Sequence, residues 1–244
     1  MIWLILAELL FLFLLSRALT QALYRFVFLI TTSSTVGITI LSLLFFPGTV
    51  VHELSHWIVA EVVRVRTGEM TLYPVVDEGG VRLGSVEIAR SDPFRRLIVG
   101  LAPIMVGIVI LMASYQFYAQ YFLEGFTGIL RLPSGQVSGI IGQPLFYLYL
   151  YVLFSVGNNM FSSKRDLEGF IVVSIVLVLL GLSTYLAGLW PQIPSAIIEK
   201  VQGGIGLLFA PLTLVVSIDF ILLVALRLGI EVMQKVLKRR IIAS

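Results

Sequence analysis

Six long apolar runs set the terms on which this chain can fold. They cover Met1–Ile30, Val36–Ala60, Leu97–Tyr121, Pro144–Phe161, Leu167–Leu189 and Ile205–Leu228. Each is close to the ~20 residues that a helix needs to cross the ~30 Å hydrocarbon core of a bilayer. Charged residues make up only 13% of the 244 and hydrophobic ones 58%, whereas a soluble domain carries about 25% charged residues. That is too few for a water-facing surface, so lipid is the natural solvent. The expected fold is an α-helical polytopic membrane protein of about six to seven transmembrane helices, in one domain. Cysteine is absent, which excludes disulfides and thiolate metal sites. A metal here has to be held by His, Asp or Glu. The net charge of +3 gives no reason to expect nucleic acid as a partner.

Residues 1–35 read as a membrane segment, one long tilted helix or two short spans. The segment is apolar from its first residue, with no basic region ahead of it, so a retained segment is expected and not a cleavable signal. Residues 36–66 form the second unit. Pro47 lies inside it, where it frees a backbone carbonyl and kinks the helix. Thr67–Arg90 is polar, and Val81–Ile88 alternates at period two, with Asp77-Glu78-Gly79-Gly80 as turn chemistry. A β-hairpin is expected within 67–92, associated with the membrane. The next helix should start at Ser91-Asp92-Pro93, an N-cap followed by a first-turn proline. Residues 93–228 are the remaining transmembrane core, and 229–244 form a basic tail.

Basic residues give the orientation. With spans alternating sides from Val36 onward, the basic residues of Arg64–Arg96, Lys164-Arg165 and Arg227–Arg240 fall on one side. Only Arg131 and Lys200 fall on the other. The positive-inside rule makes the first side cytoplasmic, with the C-terminus on it. An integral protein of a prokaryotic cell membrane is the expected setting.

The chain's two histidines, His52 and His56, both belong to one segment, His52-Glu53-Leu54-Ser55-His56. On a helix, positions i and i+4 share a face one turn apart, so both imidazoles can reach one Zn²⁺ at ~2.0–2.1 Å. Glu53 stands about 100° further round. There it can take a proton from the zinc water and pass it to a leaving amine. The competing reading is a hydrogen-bonded histidine pair in the core. Ionisable side chains inside an apolar run are costly and usually functional, which favours the metal. A catalytic zinc needs a third protein ligand and one open position. With no third histidine, the candidates are carboxylates. Placing His56 near the cytoplasmic end of its helix, depth selects Asp166, which opens the fifth run beside Lys164 and Arg165. Asp219, in the middle of the last run, is expected at a different depth. Asn158 and Asn159, just before Asp166, are candidates for holding a substrate backbone or a developing oxyanion. The hairpin offers an edge to an extended substrate.

These motifs resemble the site-2 protease family of intramembrane zinc metalloproteases. Val51-His52-Glu53-Leu54-Ser55-His56 matches the family's first motif. Gly100-Leu101-Ala102-Pro103 is similar to its Gly/Pro-containing intermediate motif. Asn158-Asn159 followed by Asp166-Leu167-Glu168-Gly169 resembles its last. The prolines that the family carries before the Asp are absent, and Asp-Leu-Glu-Gly replaces Leu-Asp-Gly. The resemblance covers roughly 40–210 and implies Zn²⁺ held by His52, His56 and Asp166, with Glu53 as the catalytic base. It further implies hydrolysis of peptide bonds in a membrane protein or peptide substrate. The alternative is a non-catalytic membrane subunit that keeps the protease fold inside a larger complex.

Overall fold

The computed structural model describes residues 2–77, 80–129, 144–161, 164–188 and 195–237. It is mostly helical. Helix α1 (Ile2–Thr31) is a single unbroken helix, so the first segment is not two short spans. It is followed by α2 (Ser34–Leu44), capped by the Ser33 hydroxyl, which accepts from the Val36 amide. Next comes α3 (Phe46–Val62). Strands β1 (Thr67–Thr71), β2 (Val75–Asp77), β3 (Gly80–Arg82) and β4 (Ser85–Ile88) precede α4 (Pro93–Ile129), α5 (Pro144–Asn159), α6 (Lys164–Leu186) and α7 (Ser195–Leu237). Among the described residues, three helices are long and apolar enough to cross a membrane, within α1, α4 and α7. The count is four if α2 and α3 together make one span.

The expected second span is broken. Its helix stops at Phe45 and restarts with Pro47 in the first turn of α3, at 71° to α2. A break inside an apolar bundle leaves backbone groups that must find partners there, and α5 provides them. The Gly48 amide donates to Ser155 Oγ at 2.8 Å, and Asn159 Nδ2 reaches the Phe45 carbonyl at 3.4 Å. The Tyr151 hydroxyl donates to the carbonyl of Leu43, four residues before Pro47. Helix α3 ends with Arg64 in the left-handed region (φ 58°), and the Val65 amide closes back on the Ala60 carbonyl.

Pairwise contacts fix the helix directions. Thr213 Oγ1 donates to Glu8 Oε1, and Gly229 packs on Phe26, so α1 and α7 run parallel. Gly157 packs on Val215 and the Ser16 hydroxyl donates to the Asn158 carbonyl, so the end of α5 is joined to both. Helix α2 comes back along α1, Gly37 on Tyr24 and Leu41 in one cluster with Leu19. Leu83, after β3, packs on that same cluster. The bent α2–α3 pair is thus either one broken span or a re-entrant loop.

The expected hairpin is present in nested form: β1 pairs antiparallel with β4, and β2 with β3, with Asp77 opposite Gly80. The alternating run is not one strand, because Leu83 and Gly84 leave the ladder to pack on the helices. Helix α4 begins where Asp92 caps it: Asp92 Oδ1 accepts from the amides of Phe94 and Arg95.

The α3–α5 crossing depends on Gly48 having no side chain. A Cβ there would overlap the Ser155 carbonyl and lie 2.5 Å from Asn159 Nδ2. Gly48→Ala should cost about 1–3 kcal/mol or prevent folding. Gly203→Ala, with nothing within 4 Å, should be neutral or gain up to about 1 kcal/mol as a helix substitution. Unfolding of both variants in mixed detergent checks the contrast.

Candidate metal centre

His52, Glu53 and His56 are buried, at 4%, 6% and 8% exposure. The two imidazole centres are 4.8 Å apart with planes at 86°. Two imidazoles bound tetrahedrally to one zinc at ~2.1 Å would place their centres roughly 5 Å apart. The pair therefore has the spacing that one metal requires.

Each ring is held by a backbone carbonyl. His52 Nδ1 lies 2.7 Å from the Asn159 carbonyl and His56 Nδ1 lies 2.8 Å from the Val99 carbonyl. A carbonyl only accepts, so both Nδ1 atoms carry the hydrogen. In the neutral rings the lone pairs are then on Nε2. Metal-binding histidines are typically oriented in this way.

Both carbonyls are available for reasons written in the helices. Asn159 is the last residue of α5, and the final carbonyls of a helix have no partner within it. Val99 is in α4, and four residues later stands Pro103, buried inside that helix. Proline has no amide hydrogen, so the Val99 carbonyl loses its in-helix donor and His56 supplies one. The role of Pro103 was missed in the sequence reading, although the signal was present: a proline inside a helix releases the carbonyl four residues earlier.

A second polar layer adjoins the pair. Asn158 Nδ2 donates to Asp219 Oδ1 at 2.9 Å and to the Phe154 carbonyl. Asp219 has 0% exposure. The expectation that Asp219 lies at a different depth is corrected: it bonds the residue next to Asn159, at the level of the histidines. The depth argument erred because it treated residues 36–60 as one straight span. The Asn159 side chain is also committed internally, to the Ser155 carbonyl at 2.8 Å and toward Thr49 Oγ1 at 3.5 Å. The described partners of both asparagine amides thus belong to the protein itself.

Asp166 is in the first turn of α6, and its side chain lies outside the described residues. Among the described residues, no three His, Asp or Glu side chains gather as a metal group. The imidazole pair is the part of the centre that they carry. The hairpin reaches this centre through Gly84. A Cβ there would be 3.0 Å from Glu53 Cγ and 3.2 Å from Glu53 Oε1. Comparison with protein-family models, curated proteins and solved structures finds no match.

The Asn158–Asp219 bond ties the end of α5, and with it the Asn159 carbonyl, to α7. Asn158→Leu would leave a buried carboxyl without that donor. It should destabilise the protein by about 1–3 kcal/mol, measurable in the same detergent unfolding assay.

Proposed function

We propose that this chain is an integral-membrane zinc metallopeptidase that hydrolyses peptide bonds of membrane-protein substrates. One observation carries the reading: both histidines of the HExxH segment are oriented by carbonyls on Nδ1, with their ring centres 4.8 Å apart. His52 and His56 would bind the zinc through these atoms, with Asp166 as third ligand. The resemblance to the site-2 protease family supports the same assignment. Bound zinc would polarise the scissile carbonyl and acidify the attacking water. Glu53 receives that water's proton and passes it to the leaving amine. Burial of Glu53 beneath Gly84 keeps bulk water from the carboxylate. Asn159 acts through its carbonyl, and Asn158 acts through Asp219.

The same reading gives a membrane placement. The basic ends of α1 and α7 lie together, and this reading puts the basic hairpin at that end. We assign it to the cytoplasmic face. The crossing helices are then α1, α4, α5, α6 and α7, with α2–α3 re-entrant, five where the sequence suggested six to seven. Asp219 is eight residues before Arg227 on α7, which puts the centre about 12 Å along the helix from the first basic residue of that end. A bond cut there lies within the membrane.

Purified protein should contain zinc in a one-to-one ratio, and His56→Ala should lose it. Glu53→Gln should keep the zinc and lower cleavage of a membrane peptide by about 10²- to 10⁴-fold. A wild-type chain without zinc would sink the metal assignment. Zinc with undiminished function in Glu53→Gln would favour the non-catalytic subunit instead. Asp166→Asn should weaken zinc binding. Pro103→Ala gives Val99 a competing amide and should weaken it by up to about ten-fold, the lower end for a lost orienting contact, as read by chelator competition.

A further inference from the structure

Away from the metal centre, the basic ends of α1 and α7 border a groove of about 240 Å³. Ala18, Gln21, Ala22 and Arg25 face it from α1, and Arg227, Ile230, Glu231 and Gln234 face it from α7. Both sets follow the i, i+3, i+4, i+7 spacing of a single helix face. The alanines leave the room and the polar residues furnish it. The two helices touch within these same turns, Gly229 against Phe26. No hydrogen bond or ion pair ties Arg25, Arg227 or Glu231 to another described residue. The groove thus holds two guanidinium groups on opposite walls and one carboxylate a helical turn from Arg227. It opens where two membrane-crossing helices reach their basic end.

We propose that this groove seats the headgroup of an ethanolamine phospholipid. Guanidinium groups match phosphate oxygens in geometry and charge. Arg25 and Arg227 can hold one phosphate diester between them, as basic pockets between transmembrane helices do. Glu231 then has a partner only if the headgroup brings a cation, and an ethanolamine brings a primary ammonium. Gln21 and Gln234 supply further amide hydrogen bonds at the rim. The acyl chains of such a lipid would run along the apolar outer faces of α1 and α7, where Leu14, Leu222 and Val224 are exposed.

The test is native mass spectrometry of the purified full chain in detergent, titrated separately with phosphatidylethanolamine, phosphatidylglycerol and phosphatidylcholine. The wild type should retain phosphatidylethanolamine best. In the double variant Arg25→Gln, Arg227→Gln, retention should fall by about thirty-fold, the loss of two basic contacts near a lipid surface. Glu231→Gln, which is nearly isosteric, should abolish the preference for phosphatidylethanolamine over phosphatidylglycerol, and it keeps the test readable if the double variant misfolds. Equal retention of all three lipids by the wild type would overturn the proposal. So would a wild-type preference for phosphatidylglycerol, or unchanged phosphatidylethanolamine binding in a folded double variant. Displacement of the lipid by soluble phosphoethanolamine at matching concentration would assign the groove to a free metabolite and overturn the lipid.

Discussion

Two backbone carbonyls without donors in their own helices hold this centre together. One closes α5 at Asn159, and the other is released in α4 by Pro103. In an apolar bundle an unpartnered carbonyl is costly, because no water is at hand to satisfy it. His52 and His56 meet both demands with Nδ1. The rings are therefore fixed by the same bonds that complete the helices, and the geometry of the pair follows from the architecture of α4 and α5. The break at Phe45 belongs to the same design. It turns α3 across the bundle, and Ser155 and Asn159 of α5 satisfy the backbone groups that the break exposes.

Much of this was legible in the sequence. The apolar runs gave the helices, and the two histidines in one HExxH segment gave the paired imidazoles. Asp92-Pro93 gave the start of α4, and Asp77–Gly80 gave the reversal of the hairpin. These features are local: each depends on residues within a few positions of one another. The depth of Asp219 was not legible, because it depends on the 71° turn between α2 and α3. Pro47 announces a break but not its angle. A straight span carries His56 to the membrane surface, whereas in the bent pair His52, one turn before it, bonds the Asn159 carbonyl beside Asn158 and Asp219. The nesting of the hairpin was equally hidden. Leu83 and Gly84 continue the alternating pattern in sequence, and only the neighbouring helices draw them out of the ladder.

The place of Gly84 links fold to chemistry. Its bare Cα lets the hairpin backbone lie on Thr49 and Glu53, so the polar hairpin roofs a carboxylate inside an apolar bundle. An extended substrate entering along this hairpin would arrive beside Glu53. The groove between α1 and α7 lies at their basic end. The reading of it as a lipid site stands whether or not the centre binds zinc.

The most direct test of the central claim is X-ray absorption at the zinc edge of the purified, zinc-loaded protein. Two imidazoles bound through Nε2 predict a nitrogen and oxygen shell at about 2.0–2.1 Å with the outer-shell scattering of two histidine rings, reduced to one ring in His56→Ala. A spectrum without imidazole scattering, or one unchanged by His56→Ala, would contradict the account.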